Sequence, residues 1–579
     1  MDQLPPGPTA AGPPRDRPGW HGPLRFVAFT LAALAFSALF RLHSPTVPDP
    51  DSFYHFRHAA LYAQKGLWMR EFPWLAYSTV SRFAADLGYG FHVLLIPFTF
   101  LKDQVLGLKL ATAFELAILL VLLYVVMRRH RVAYDFAWPF MVPLSSPPIM
   151  YGCLMTRPHI ITMGLSALLL SFLVPRISHR GNARVVTASW WGVFLTSAAL
   201  TFVHANFFWL IPALVAVVGA VRLLTERRWE WRSGAAALLG MCVGWLLRPN
   251  PLGAVQIEYV QLIVHTAERR KGILPFGREW LPLPPDQAAS QFLWFILLWL
   301  ALAVIFIWAA ARRRGELLPE DRTLLWSSLP LSLAFFALTI FDTKRFIVLW
   351  VAFAVVFMAG AFSRLVGPAQ ARPDSLLTRD TRLMLAVCLG LLYLMMAKDG
   401  VEQHLVKPMW LGIPPYRMQE AGVWLKDHSR PGDIVFNVGW DLFPELFFWD
   451  TQNRYVSGLD PIFLYAYDQR LYWEDYHLEA GAASQWTYPT LAPNEAAREE
   501  TYTALQRDFR ARYVVLQPPR SPALYAYLDS DRRFVSRFRS SDVAVFEVRS
   551  PHERSAVASR GSKRATIPHG QTEAGSARP

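Results

Sequence analysis

Charge is scarce in this chain. Of its 579 residues, 18% are Asp, Glu, Lys or Arg, against about 25% in an ordinary soluble protein. The shortage is concentrated between residues 24 and 398. It excludes a disordered chain, a coiled coil and an ordinary cytosolic enzyme. Cysteine is scarce too. Cys153, Cys242 and Cys388 lie far apart in or beside apolar segments, with no CxxC and no histidine at ligand spacing. That argues against a zinc site or a disulfide framework, and the three read as small packing residues. Repeats of solenoid or propeller type are lacking. What the chain has in quantity is apolar surface: 53% hydrophobic residues, with 22 Trp and 39 Phe.

The net charge is +14. In a soluble protein this would suggest nucleic acid. Here the basic residues sit in short loops between apolar runs, where they set membrane orientation, and no nucleic-acid partner is expected. Runs near the roughly 20 residues that cross a bilayer are 24–42, 106–127, 133–150, 159–175, 186–203, 205–224, 234–248, 290–311, 323–341, 345–363 and 383–398. The third carries Asp135 and several prolines, and the seventh is short. The stretch 91–101 reads as interfacial. Arginines gather before the first run and after every even-numbered one, from Arg128, Arg129 and Arg131 to Arg364, Arg372 and Arg382. The expectation is therefore a polytopic α-helical membrane protein with about eleven transmembrane helices, in the cytoplasmic (inner) membrane with its N-terminus inside. Its regions read as a disordered N-terminus over 1–23 with no cleavable signal peptide, a transmembrane domain over 24–411, an extracytoplasmic C-terminal α/β domain over 412–549 and a disordered tail over 550–579. Strand-like runs at Asp433–Val438, Tyr513–Leu516 and Val543–Val548 carry the α/β reading.

The outward loops hold the chemistry. The first, 43–105, opens with Asp49 and Asp51, followed by His55, Arg57 and His58. Two acids one residue apart suit a divalent cation (Mg or Mn), or one acts as a general base. If the chain turns helical after Asp51, then Asp51 and His55 share a face and Ser52 is a capping candidate. The plain alternative is a helix start with a solvated acidic cap. In the second loop, Arg157 and His159 suit a phosphate or pyrophosphate, or Arg157 merely snorkels. His204 and Asn206 form a short polar turn, either a site lining or a satisfied buried histidine. The loop 249–289 carries Glu258, Arg278, Glu279 and the cluster Arg269, Arg270 and Lys271, which points to an anionic ligand or to lipid headgroups. Asp342, Lys344 and Arg345 stand at the same level, with an Asp342–Arg345 pair as the structural alternative.

These residues resemble a known group. An inside N-terminus, one span, then an outer loop opening Asp49-Pro-Asp-Ser-Phe-Tyr-His-Phe-Arg57 looks like the GT-C superfamily of integral-membrane glycosyltransferases, which includes oligosaccharyltransferase catalytic subunits and protein O-mannosyltransferases. Thr156-Arg-Pro-His159, His204-Ala-Asn206, Asn250-Pro-Leu-Gly253, Arg278-Glu-Trp280 and Lys344-Arg345 resemble motifs of a bacterial GT-C-like subgroup. The likeness covers roughly residues 24–470. It implies a polyprenyl-phosphate-linked sugar donor, a glycan, lipid or protein acceptor, and transfer at the outer face. It places the catalytic acid at Asp51 with Asp49 beside it, and both would bear any metal. Arg157, His159, Lys344 and Arg345 would bind the donor phosphate. His55, Arg57, His204, Asn206, Glu258, Arg278, Glu279, Trp440 and Asp441 would line the substrate. The sequence departs from the oligosaccharyltransferase pattern in two places: the second loop lacks a carboxylate, and Gly439-Trp-Asp-Leu-Phe443 stands where that family has a Trp-Trp-Asp motif. The reading is an inverting enzyme that depends weakly or not at all on metal. The alternatives are a ligase or polymerase of lipid-linked glycans, or a non-catalytic lipid or glycan transporter.

Overall fold

A computed structural model describes residues 21–180, 183–187, 189–227, 230–274, 276–312, 319–366, 378–406, 412–480 and 485–549. Of the expected disordered N-terminus 1–23, residues 1–20 lie outside them, as do the tail 550–579 and the loop arginine Arg372, whereas residues 21–23 begin the first helix, His21–His43.

Seven helices are long and apolar enough to cross a membrane: Gly22–His43, Gln104–Arg129, Ala205–Glu226, Pro285–Arg312, Pro319–Phe341, Lys344–Leu365 and Asp380–Leu405. The protein is a multi-pass membrane protein. Three further expected runs form shorter helices, His159–Leu173, Trp190–Val203 and Trp231–Leu246. The run 133–150 is not one helix. Pro139, Pro143, Pro147 and Pro148 break it into Trp138–Leu144 and Pro147–Cys153, because proline removes a backbone donor and clashes with the preceding turn. The chain nevertheless returns to where Gln104–Arg129 began, since the Thr112 and Thr156 hydroxyls meet at 2.6 Å.

The loops 43–105, 151–158, 204–206 and 249–289 converge at one end of the bundle. The backbone of Val47 pairs with that of Ile413, with N–H to O distances of 2.9 and 2.7 Å. Arg248 is buried and donates to the carbonyls of Asp86 (3.0 Å) and Thr201 (2.7 Å). Inside the bundle, Trp231–Leu246 lies against Trp190–Val203 through Gly240 and Gly244, where a Cβ would run into the carbonyl oxygens of Phe194 and Ala198. Small residues four apart are how membrane helices bring their backbones together.

Beyond the bundle lies a five-stranded sheet in the order Arg454–Tyr455, Ile434–Asn437, Ala511–Leu516, Ala544–Val548, Phe534–Arg539. The first three strands are parallel and the others antiparallel, and three coincide with the strand-like runs of the sequence. The first outer loop docks onto the sheet edge: Tyr455 N–H donates to the Trp74 carbonyl and Ala76 N–H to the Tyr455 carbonyl, both at 2.7 Å. An aromatic cluster of Tyr54, Phe72, Trp74, Phe443 and Phe447 cements the contact.

Candidate active site

The centre is built where the loops 43–105 and 151–158 meet. Pro50 takes helical angles (φ −66°, ψ −35°) just before the helix Asp51–Lys65, a placement that proline's fixed φ favours. Asp51 is therefore the first helical residue, where the helix dipole favours an anion. Ser52 does not cap this helix, as its sequence position suggested. Its hydroxyl donates to Asp49 Oδ1 and accepts the Thr156 N–H at 3.0 Å, tying the two loops together. Arg157 completes the tie. Its Nε donates to Asp49 Oδ2 at 2.5 Å, and its Nη2 lies 2.8 Å from Asp51 Oδ2. Two carboxylates around one guanidinium leave one net negative charge, with Asp51 the more exposed acid (21% against 8% for Asp49).

A second cation stands outside this group. Arg345 lies 3.7 Å over the Trp280 ring and 3.8 Å from Glu279 Oε1, with its side chain 36% exposed. Burial pushes the Asp51 carboxyl up to about 6; Arg157 and Arg345 oppose the shift, while Asp49 and Glu279 add to it. Asp460, from the outer region, shares the same field. Burial pushes it up to about 6 as well, against the N–H of Ile462 and Arg345 and with Glu279 and Asp51. Sequence reasoning missed Asp460. The signal was present, because Asp-Pro opening the helix Pro461–Tyr465 is a capping pattern, and Asp460 Oδ1 accepts from Ile462 N–H at 3.0 Å.

His55 shares the first helix with Asp51, but its Nδ1 meets His92 Nε2 at 2.7 Å. His92 Nδ1 in turn meets Asp86 Oδ2 at 2.6 Å, and Tyr62 donates to the same oxygen at 3.0 Å. His58, Asp86 and His92 bring ligand atoms within 4.8 Å of one another, as do Glu474, Glu499 and Asp508, so acidic groups able to hold a metal exist among the described residues. Asp49 and Asp51 belong to neither group. The Arg157 guanidinium stands between them where a shared ion would sit, so the pair does not fit a divalent cation while Arg157 is in place.

The other expected residues divide. His159 begins the next helix, in electrostatic range of Arg157 and Arg345. His204 joins it, with Nδ1 at 2.9 Å from the Thr162 hydroxyl. Lys344 sits beside Arg345, its N–H donating to the Leu281 carbonyl at 2.9 Å. Asn206 donates to the Gln261 side chain. Arg57 turns away from the acids: it donates to the Phe448 carbonyl, 5.2 Å over that ring, and so pins the outer sheet region to the bundle. Glu258 lies buried beside Arg248, burial pushing its carboxyl up to about 8. The expected Asp342–Arg345 pair does not form. Arg269, from the basic cluster, takes Asp342 instead, which frees Arg345 for Glu279. Asp441 is held by two nitrogens of Arg520 at 2.8 and 3.2 Å, and Trp440 lines a separate cavity. The side chain of Arg278 is outside the described set.

No family model and no curated protein matches the sequence. Solved structures do. The apo oligosaccharyltransferase of Archaeoglobus fulgidus superposes with a TM-score of 0.56 at 13% identity, over 88% of this chain and 71% of that one. ArnT from Cupriavidus metallidurans, solved bound to undecaprenyl phosphate, gives 0.50 at 13%, over 90% and 97%. The mycobacterial arabinofuranosyltransferase AftD gives 0.52 at 14%, over 90% of this chain but 40% of its own length. The chain is similar to these three proteins in fold.

Proposed function

We propose that this protein transfers a sugar from a polyprenyl-phosphate-linked donor to an acceptor hydroxyl at the outer face of the cytoplasmic membrane, in a single inverting displacement. The observation that carries the reading is the pairing of Arg157 with both Asp49 and Asp51 beside an exposed Arg345. Asp51 accepts the proton of the acceptor hydroxyl as its oxygen bonds to the anomeric carbon. The carbon–phosphate oxygen bond breaks, and the phosphate leaves with the electron pair. Arg345, with His159 and Lys344 near it, neutralises the charge that develops there, which is how preorganised cations lower such barriers. Asp49 and Ser52 hold Arg157, and Arg157 holds Asp51. No step requires a metal at this pair.

The basic loops support this orientation, with residues 43–105, 151–158, 204–206, 249–289, 342–344 and everything after about 398 outside. The test is Asp51→Asn in nanodiscs with a panel of polyprenyl-phosphate sugars, beside glycan and glycolipid profiles of a strain lacking the gene. Transfer is expected to collapse while donor binding persists. Transfer at the parental rate in the variant, or a cytosolic location for Asp51 in reporter fusions, would sink the reading. A transporter would keep its flux in the same variant.

A further inference from the structure

The outer region holds a cavity of about 240 Å³ lined by Trp440, Ser457, Pro461, Tyr472, Asp475 and Glu479, among others. Its place in the sheet is informative. Trp440 and Ser457 follow the carboxyl ends of two parallel strands, Ile434–Asn437 and Arg454–Tyr455. The neighbouring parallel strand Ala511–Leu516 runs on to Arg520, whose guanidinium pairs with Asp441. In sequence order these strands lie second, first, third, so the order reverses between the first and the third. Ligands of open α/β sheets bind outside the carboxyl ends of the strands, and this cavity lies outside the ends of the first two, next to the reversal. Gly439, at φ +112°, turns the chain sharply there and sets Trp440 over the cavity; a side chain at that φ would be strained.

The lining is incomplete without an occupant. Tyr472 is 3% exposed and Asp475 5%. Among the described residues the Tyr472 hydroxyl and Asp475 Oδ1 have no hydrogen-bond partner, and buried polar groups are ordinarily paired. Burial pushes Glu479 up to about 7 and Asp475 well above the carboxylate range. No cation lines the cavity among the described residues, so phosphate finds no counter-charge there. An ammonium ion only donates, so it leaves the phenol proton of Tyr472 unused. A hydroxyl both donates and accepts and serves both groups. Trp440 and Tyr476 offer ring faces for the apolar side of a sugar. The volume lies below the roughly 300–1,000 Å³ of drug-sized sites, room for one ring.

We propose that this cavity is a saccharide subsite, seating one sugar ring of the acceptor glycan against Trp440 while Tyr472, Asp475 and Glu479 bind its hydroxyls. The acceptor role rests on the transferase reading above; sugar binding does not. The cavity is joined to the reacting centre through five residues. Ser457 and Pro461 line it, while Asp460 between them shares the field of Asp51 and Arg345. Leu459 in the same segment has φ +69°, a conformation uncommon for bulky side chains and worth noting where it occurs.

The test is saturation-transfer NMR on the full-length protein in nanodiscs with methyl pyranosides and furanosides, and with tetramethylammonium as the cationic probe. One or more glycosides should bind the parent and bind Asp51→Asn equally. Binding should weaken at least tenfold in Trp440→Ala and severalfold in Tyr472→Phe, which keeps the ring and removes only the hydroxyl. In transfer assays Tyr472→Phe should raise the acceptor KM with kcat little changed. The proposal is overturned if no glycoside binds the parent, if both cavity variants bind as the parent does, or if only tetramethylammonium binds. Those results leave the Asp51 chemistry standing, whereas transfer surviving Asp51→Asn with glycoside binding intact overturns the chemistry and leaves the cavity.

Discussion

Two buried acidic sites lie close together in this protein and are built in opposite ways. At the membrane end of the bundle, Asp49 and Asp51 are both engaged by one guanidinium, and Ser52 occupies the remaining Asp49 oxygen. In the C-terminal sheet region, Asp475 is buried with one oxygen that has no partner among the described residues, beside the Tyr472 hydroxyl, which likewise has none there. The first arrangement is paired in advance, as the proposed proton transfer would require. The second keeps its polar groups waiting, as a binding cavity does. The difference implies that removing a charge will harm the first site and help the stability of the second.

The largest effect tests the paired site. Asp51→Asn should lower kcat by about 10²- to 10⁴-fold, the usual worth of a positioned acid or base, in a donor-dependent transfer assay. A loss of less than tenfold would deny Asp51 that role. Arg157→Met should come next. It leaves Asp49, only 8% exposed, without its cation, and breaking a buried pair costs roughly 3–5 kcal/mol. Thermal unfolding in detergent would show it, and Asp49→Asn added to Arg157→Met should recover part of the loss. Equal stability of the parent and Arg157→Met would break the comparison from this side.

The cavity should respond in the opposite sense. Asp475→Leu replaces a buried acid, one of whose oxygens lacks a partner among the described residues, with an apolar side chain of similar shape. It should stabilise the fold by up to about 1–3 kcal/mol, the cost of leaving a buried polar group unpaired, and abolish glycoside binding. The gain should grow with pH. Burial raises the folded-state pKa of Asp475 above that of the unfolded chain, so the native state holds the proton longer. Parental stability from this group therefore falls as pH rises above the ordinary carboxylate range, and the Leu variant lacks that fall. Melting curves from pH 4 to pH 8 measure it.

The bundle was legible because a membrane span is a composition signal, and Asp49, Asp51, Arg157 and Arg345, singled out in loops at the ends of spans, come together in the structure. Three sheet strands were legible from short apolar runs between turn residues. What could not be read was pairing across the fold. Asp342 and Arg345 are three residues apart, yet each chose a partner from the loop 249–289. Ser52 looked like a cap for its own helix but serves Asp49 and Thr156, because Pro50 already sets the helix start. Asp460 and the His92–Asp86 contact depend on segments far apart in sequence or on a loop with no periodicity. The broken run 133–150 was foreshadowed by its prolines, yet its return to Thr112 was visible only in three dimensions.

The smallest effect sharpens the link between the two sites. Glu279 adds to the upward shift of both Asp51 and Asp460, although it touches neither in the hydrogen bonds and ion pairs of the described residues. Asp51 acts as a base only when ionised, so transfer should rise with pH through about 6. Glu279→Gln removes a negative neighbour, which makes the Asp51 anion easier to form. The acid limb of kcat/KM should therefore move to lower pH, by less than about one unit for a screened pair at this range. Freed from Glu279, Arg345 also faces the donor phosphate alone, so donor KM should fall or stay level. A limb that moves upward would mean that Glu279 acts mainly by holding Arg345 near Asp51. A limb that moves to lower pH in Glu279→Gln but vanishes in Asp460→Asn would assign the titration near pH 6 to Asp460, and with it the proton transfer.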